Sequence, residues 1–387
     1  SNLYAQYYLN RAKITNDKSR ILDGYYFLSL INDFNFSQLY ADSTLQKSKD
    51  FNEDGWVSPT YLRKGNLYYA KGDFKKAIDY YINANNTLTD KQSYLGQIIS
   101  LNVAQLKNYI GDYDDAILQF KQNLLLFNSD LDEEMAYNYL MNIVGISDTY
   151  IELNEIDSAT TYNRLGYSAA VLNNSAKLKS KFTLLQGICE YNLSRFKISI
   201  DSLHQVKQYL IKEQDSTDLA FVNFYLALNY KVLDMDENIS FLTKTDTIIS
   251  KANIFLPAFI DVYKELFEEY KKTGNQKLQL VYLEKLLNYT AKVQDNNIYL
   301  SSKISKEYDL PELIKQKTNL IEKLENKSSF INWFLIPFLL IIILFSTYQI
   351  WVQKRLKVKF QNILEGKELD VISDKNVITP NPKISIN

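Results

Sequence analysis

The feature that most constrains this chain is a pair of helical segments joined by a short turn, which returns about every forty residues. Its clearest copy covers residues 61–84. There the small residues Gly65 and Ala77 stand where two helices would cross, and Gly72-Asp73 lies between them. Gly commonly ends a helix, and Asp commonly begins the next one. The pattern therefore predicts a stack of helical hairpins.

Landmarks of the same kind recur along the chain, which indicates a repeat array rather than one hairpin. The small landmarks of the first helices are Gly65, Ala104, Ser147, Gly187 and Ala227, with Phe267 as a degenerate sixth. Those of the second helices are Ala77, Ala116, Ala159 and Ser199, followed by Asn238 and Gln279, where the small residue is lost. Counting a weaker pair at residues 21–48, about seven hairpins are predicted, and at least about three are needed to stack a continuous core.

The copy at residues 61–84 resembles the tetratricopeptide repeat. The residues that stand at the family's spacing are Tyr61, Gly65, Tyr68, Ala77, Tyr81 and Ala84, whereas Lys64 occupies a position where the family prefers Leu. The resemblance implies an all-α, superhelical solenoid over residues 1–300. A helical bundle without superhelical stacking is the alternative. The family repeat is about 34 residues long, so the helices or the loops between repeats are expected to be longer here.

Composition agrees with a helical protein that does not bind nucleic acid through its overall charge. Only 11 Gly and 6 Pro are spread over 387 residues, too few for a turn-rich β protein. The 30 Tyr and 20 Phe are expected to fill gaps between helices. The formal net charge is −1, so no global basic field attracts nucleic acid.

Residues 328–353 contain no charged side chain and are long enough to cross a bilayer as a helix. Trp333 and Trp351 stand near its two ends, as interfacial anchors do, and Pro337 is tolerable inside a membrane helix. The alternative is a buried helix of the array, but such a helix does not need an apolar surface on every side. The segment is therefore predicted to be one transmembrane helix.

The charges that flank this segment predict its orientation. Lys354, Arg355, Lys357 and Lys359 follow it with no acidic residue among them. The positive-inside rule then places residues 354–387 in the cytoplasm, as a basic helix and linker, and the repeats outside it. The chain starts at Ser1 without a Met, so the sequence leaves open a removed signal peptide or a fragment.

The juxtamembrane segment, residues 301–327, carries apolar residues at heptad spacing. They are Leu310, Leu313, Leu320, Leu324 and Ile331, with Lys317 and Lys327 as interruptions. Two interpretations stay open. The segment forms a parallel coiled coil that makes a homodimer, or it is a last capping helix that leads into the membrane.

The complete order of parts resembles bacterial membrane-anchored regulators. These have long tetratricopeptide repeats outside the cytoplasm, one membrane helix and an AraC-type helix-turn-helix domain inside. The points of resemblance are the 61–84 repeat, the Trp333–Trp351 span, the basic run 354–359, and residues 382–387 as a linker into such a domain. The resemblance implies that this chain is a sensor portion in the inner membrane, with DNA bound only through a domain beyond Asn387. A membrane-anchored scaffold for envelope proteins is the second hypothesis.

No pattern of catalytic or metal-binding residues stands out, and no cofactor is predicted. His204 is the single histidine and Cys189 the single cysteine, and we expect both to be structural. The acidic clusters 112–115 and 234–237 invite a calcium site, but they lack the Gly and the distal Glu of an EF-hand loop. These acidic residues are better explained by their position at the start of a helix, where negative side chains interact favourably with the helix dipole. The sequence thus favours a binding protein over an enzyme.

The remaining candidate site is the concave groove that first helices line in this kind of repeat. The candidate groove residues are Asn66, Tyr69, Asn102, Gln105, Asn108, Asp148 and Tyr191. Amides and aromatic rings suit an extended peptide backbone, because each amide both donates and accepts hydrogen bonds. We therefore predict a peptide or protein ligand in the groove. The alternative is an inner face that is merely solvated.

Overall fold

The computed structural model describes residues 2–126, 133–235 and 237–364, and within them every regular element is a helix. These residues form two units that divide between Pro311 and Glu312. The predictions made at Asp236 and at residues 365–387, including Pro380 and Pro382, lie outside the described part of the chain. The same holds for the side chains of Lys327 and Ile331.

The first unit is a tetratricopeptide-like solenoid, which confirms the predicted all-α fold and its seven hairpins. Helix α1 (Asn2–Ile14) packs on the first hairpin. The hairpins are α2 (Lys18–Ile31) with α3 (Phe34–Phe51), α4 (Val57–Ala70) with α5 (Phe74–Thr87), α6 (Tyr94–Ile110) with α7 (Tyr113–Leu125), α8 (Glu133–Glu152) with α9 (Ile156–Leu172), α10 (Ala176–Asn192) with α11 (Phe196–Glu213), α12 (Ser216–Val232) with α13 (Asn238–Ala252), and α14 (Ile260–Lys272) with α15 (Gln276–Lys303).

The turns within the hairpins lie where the sequence places them. Gly72 ends α4 with a φ of +73°, a conformation that costs glycine little because it has no Cβ. The side chain of Asp73 then accepts a hydrogen bond from the Lys76 amide at the start of α5. Asn275 caps α15 in the same way by accepting from the Leu278 amide. These two turns therefore stop one helix and start the next within a few residues.

The small landmarks mark close helix crossings, as predicted. A Cβ built on Gly65 would lie 2.4 Å from the Tyr81 ring, and Ala77 is fully buried beside it. In the fifth hairpin the Ser199 hydroxyl donates to the Gly187 carbonyl at 2.7 Å. Protein interiors are close-packed, so a larger residue at such a crossing forces the helices apart.

Three charged residues stand at repeat positions where the family has apolar residues, and each is buried and paired. Lys64 reaches Asp42 of α3, and Glu190 accepts from Arg195 at 3.4 Å. Lys107 donates to Asp309 at 2.8 Å. A buried charge is tolerated only when it is paired, so each of these departures from the repeat pattern has a partner elsewhere in the array.

The second unit is built on α16 (Leu310–Leu364), a helix of 55 residues that begins at the end of the first unit. Within the described residues, one stretch, Trp333–Leu364, is long and apolar enough to cross a membrane, and none of its most apolar window is buried. It overlaps most of the predicted transmembrane segment and contains Pro337 without a break in the helix. The basic residues from Lys354 to Lys359 continue the same helix.

Candidate functional site

The first helices of successive hairpins place polar side chains in contact from one repeat to the next. The Asn102 amide of α6 donates to the Asn66 carbonyl oxygen of α4 at 2.9 Å. Asn66 also accepts from the Tyr81 hydroxyl at 3.0 Å. These two predicted groove residues are thus joined to each other, and Tyr81 fixes the orientation of the Asn66 amide.

The next contact joins Asn108 of α6 to Asp148 of α8, also two predicted groove residues. The Asn108 amide donates to the Asp148 carboxylate at 2.8 Å. Burial, and then the charge of Glu152 one turn away, raise the pKa of Asp148 to about 7, although the bond from Asn108 lowers it. Asp148 therefore changes between donor and acceptor near neutral pH.

A third contact joins α10 to α12 through Lys181 and Asp218, which lie 2.6 Å apart. Their side chains are 21% and 12% exposed, so the ion pair is shielded from most water. Burial by itself would lower the pKa of Lys181, but the Asp218 carboxylate outweighs it and the pKa is raised. We call these three pairs, Asn66–Asn102, Asn108–Asp148 and Lys181–Asp218, the inner polar row.

Tyrosine rings flank the inner polar row. Tyr69 packs edge-on against Phe74 with ring centroids 5.2 Å apart, and burial raises its pKa to about 12. Tyr191 packs against Tyr225 at 5.6 Å. Burial, then the charges of Glu152 and Asp148, raise the pKa of Tyr225, so its hydroxyl stays protonated at neutral pH.

The structure brings most of the predicted groove residues together but not all of them. Asn66, Asn102, Asn108 and Asp148 form hydrogen-bonded pairs. Tyr69 lies close enough to Asp148 to feel its charge. Tyr191 instead contacts α12, and Gln105 is half-buried on α6.

Sequence reasoning missed Lys181, Asp218 and Tyr225. The predicted groove residues lie close to a small landmark or after it, whereas Lys181 and Asp218 lie in the early turns of α10 and α12, well ahead of Gly187 and Ala227. A signal was available. A Lys and an Asp in the early turns of neighbouring first helices can pair across repeats, which makes them candidates for the same inner face.

Lys181 and Asp218 also line a cavity of about 230 Å³ at the edge of the inner polar row. Its wall includes Ser180, which is 7% exposed and whose hydroxyl has no hydrogen-bond partner. A buried polar atom without a partner is uncommon, and a ligand group is one way to satisfy it. Within the described residues, no group of His, Cys, Asp and Glu side chains could hold a metal ion.

The array also contacts itself across its interior. The Tyr109 hydroxyl of α6 donates to the Phe255 carbonyl between α13 and α14 at 2.8 Å. The Asn296 amide of α15 donates to the same hydroxyl at 3.2 Å. The last hairpins therefore reach back to the third, a feature that the repeat pattern did not predict.

Two solved structures share this architecture. The apo form of RapI is 14% identical, with a TM-score of 0.51, and the match covers 71% of this chain and 99% of RapI. A Rap protein complexed with competence and sporulation factor is 12% identical, with a TM-score of 0.52, and the match covers 72% of this chain and 87% of that protein. At these identities the likeness shows a tetratricopeptide-like fold. No protein-family model and no curated protein matches the sequence.

Proposed function

We propose that this chain is the ligand-binding sensor portion of a single-pass membrane signal-transduction protein, and that it acts by binding and not by catalysis. The observation that carries the proposal is the inner polar row, in which amides and carboxylates pair from helix to helix beside exposed cavity space. The ligand is an extended peptide or a protein segment.

The spacing of the inner polar row suits an extended chain. Packed helices lie about 8–10 Å apart, which is about three residues of extended peptide at about 3.3 Å each. Asn66 and Asn102 can exchange the hydrogen bond between them, and Asn108 its bond to Asp148, for bonds to peptide N–H and C=O groups. The similar Rap protein, which was solved complexed with competence and sporulation factor, supports this use of the fold.

The membrane part of the proposal rests on α16. The apolar stretch followed by Lys354, Arg355, Lys357 and Lys359 favours a bacterial inner-membrane location with the repeats outside the cytoplasm. In functional terms residues 1–300 bind the ligand, and residues 301–327 connect ligand binding to the membrane helix. Residues 328–353 span the bilayer, and residues 354–387 lie in the cytoplasm. The output is transcriptional, through an AraC-type DNA-binding domain beyond Asn387.

Pairing of two copies is part of the same proposal. Leu313, Leu320 and Leu324 of α16 are 59%, 62% and 60% exposed, so the predicted heptad stripe is uncovered in a single chain. Ile314 and Ile321 widen that stripe and are 55% and 44% exposed. A parallel coiled coil would bury these side chains and place two membrane helices side by side.

A membrane-anchored scaffold for envelope proteins is the second candidate. The observation that favours it is the exposure of apolar side chains on second helices of the array. Leu118 of α7, Leu165 of α9 and Ile198 of α11 are 54%, 54% and 52% exposed. A partner that binds there would not need the inner polar row.

The proposal is tested by selecting ligands against the full chain in lipid nanodiscs from a library of random linear peptides. Affinities of the selected peptides are then measured by calorimetry for three proteins: the wild type, Asp148→Asn on the inner polar row, and Asp157→Asn on the exposed part of α9. We expect Asp148→Asn to weaken binding about ten-fold or more and Asp157→Asn to leave it unchanged. Peptides that bind all three proteins equally would refute the groove and favour the scaffold.

A further inference from the structure

The last turns of α15 and the residues after it form a segment that returns to the second and third hairpins. We call residues 295–309 the return segment. Its apolar anchors are Leu300 and Ile304, which are 0% and 2% exposed. They belong to the same buried cluster as Ile78 of α5 and Leu106 of α6. The segment therefore completes the core of hairpins that are about 200 residues away along the chain.

Polar contacts surround these anchors. The Tyr299 hydroxyl donates to the Asp79 carboxylate at 2.8 Å, and Lys303 lies 3.3 Å from the same carboxylate. Asp295 pairs with Lys75 at 2.5 Å, but Asp295 is 71% exposed. Exposed pairs of this kind contribute little to stability, so this edge of the interface is weakly held.

The other end of the return segment is held by a buried ion pair. Lys107 has a side chain only 5% exposed, and its ammonium lies 2.8 Å from Asp309. A second acid, Asp115, lies 3.5 Å from the same ammonium. The Lys107 ammonium is largely shielded from water, so losing its nearer acid costs more than losing the partner of an exposed charge, even though Asp115 remains beside it. This contact therefore resists opening more than the exposed pair does.

The backbone between Ile304 and Asp309 is a π-helix, in which hydrogen bonds join residues five apart instead of four. Gln119 of α7 holds it from outside by donating to the Tyr308 hydroxyl at 3.2 Å. A π-turn accommodates about one extra residue relative to an α-helix, and each residue of an α-helix turns it by about 100°. Relaxing this turn to α-helix would rotate whatever follows, and α16 begins at the next residue, Leu310.

Three consecutive residues of α6 connect the return segment to the inner polar row. Lys107 binds Asp309, Asn108 binds Asp148, and Tyr109 accepts from Asn296. A ligand that takes the hydrogen bond of Asn108 therefore acts on the same turn of helix that anchors the return segment. The two sites share one turn of α6, which provides a physical path for coupling between them.

We propose that the return segment is a latch. The contact between Lys107 and Asp309 holds residues 304–309 as a π-helix. Release of that contact lets these residues change to α-helix, which rotates α16. The inference rests on the proposed function, because ligand binding on the inner polar row is what releases the latch. In this proposal the signal passes to the membrane as a rotation of α16 about its own axis, and not as a movement of the helix along that axis.

The first test compares two isosteric variants of the return segment in the full chain in lipid nanodiscs, without ligand. Asp309→Asn removes the nearer of the two charges that face buried Lys107, and Asp295→Asn removes the charge that faces half-exposed Lys75. We expect amide hydrogen exchange at residues 304–309 to become about ten-fold faster or more in Asp309→Asn, and to change less than about two-fold in Asp295→Asn. Equal exchange in the two variants, or equally faster exchange throughout α6 and α7, would overturn the latch.

The second test distinguishes rotation from translation. One spin label is placed at Ser168 on α9, and the second is placed in turn at Gln316 and at Thr318, which lie about 200° apart around α16. Cys189 is fully buried and is not expected to react with the label. In Asp309→Asn, rotation lengthens one distance and shortens the other. A change of the same sign at both positions, or no change, would overturn the rotation.

Because neither test uses a ligand, the latch can fail while peptide binding is confirmed. Conversely, selected peptides that do not depend on Asp148 would refute the proposed binding site while both latch tests succeed. The two claims are therefore separable by experiment.

Discussion

Asn108 donates a 2.8 Å hydrogen bond to Asp148 from the middle of a three-residue stretch whose other two members hold the return segment. Lys107 points to Asp309 and Tyr109 meets Asn296. One turn of α6 thus belongs both to the candidate binding surface and to the contact that precedes α16. Movement of this turn of α6 would therefore act on the candidate binding surface and on the return segment together.

The first prediction concerns pH. The pKa of Asp148 is raised to about 7 from its ordinary value of 3.8, so the folded state binds its proton more tightly than the unfolded state does. The contribution of Asp148 to the free energy of unfolding is therefore most favourable at low pH, and it is lost as pH rises from about 4 to about 7. We expect Asp148→Asn, which is always neutral, to gain stability relative to wild type over this window, by about 1–3 kcal/mol at pH 8.

Chemical denaturation of both proteins from pH 4 to pH 8 measures this difference. Asp157→Asn is the control, because it makes the same substitution at an exposed position of α9. A difference between Asp148→Asn and wild type that stays constant over the whole range would contradict the assignment of the raised pKa to this carboxyl.

The second prediction concerns the crossing of α4 and α5. Gly65→Ala places a methyl group 2.4 Å from the Tyr81 ring, and that ring is also fixed by its bond to Asn66. We expect a loss of about 1–3 kcal/mol in the free energy of unfolding. Gly55→Ala is the matched control, because nothing lies within 4 Å of its new methyl group. Thermal unfolding compares the two, and equal midpoints would contradict the close crossing.

The third prediction concerns the two lysines that hold the return segment. Lys107→Ala removes a buried cation from between Asp309 and Asp115, which are partly exposed, so we expect a loss of about 1.5–3 kcal/mol. Lys75→Ala removes the partner of an exposed acid and should cost no more than about 1 kcal/mol. Denaturant titrations give both values, and a ratio near one would show that Lys107 is not the anchor.

The fourth prediction concerns orientation in the membrane. Single cysteines are introduced at Ser168 on α9 and at Lys357 on α16, while buried Cys189 stays in place. In spheroplasts a membrane-impermeant maleimide should label the cysteine at 168 at once and the cysteine at 357 only after the membrane is opened. The reverse pattern would place the repeats in the cytoplasm and contradict the positive-inside assignment.

The fold could be predicted because its signals are local. Gly72-Asp73 ends and starts helices within two residues, and Gly65 with Ala77 marks a crossing inside one hairpin. Such signals are complete within about forty residues, so a period along the chain is enough to find them. The same period indicates longer helices or longer loops but does not distinguish between them.

The candidate site could be predicted only in part. Asn66, Asn108 and Asp148 stand one or four residues after a small landmark, so the repeat spacing makes them candidates, with Asn102 beside them. Which of these side chains bond to each other depends on the stacking of repeats. Replacing Asn66 with Ala would also remove the acceptor of the Tyr81 hydroxyl. Asp148→Asn is a better probe because it keeps the shape of the side chain.

The return segment could not be predicted from the repeat. Tyr299 and Asp79 are 220 residues apart, and neither has a landmark role. Lys107 gave the single hint, since a charge at an aromatic position of the repeat needs a partner. The sequence does not show that this partner is Asp309, because that depends on how far the solenoid winds before α15 begins.

The most direct test of the account is hydrogen exchange of the full chain in nanodiscs, with and without a peptide selected against it. We predict slower exchange around Asn108 in α6 and Asp148 in α8, together with faster exchange at residues 304–309. Slower exchange confined to the exposed second helices α7, α9 and α11, with no change at residues 304–309, would contradict both the inner binding surface and its link to the membrane helix.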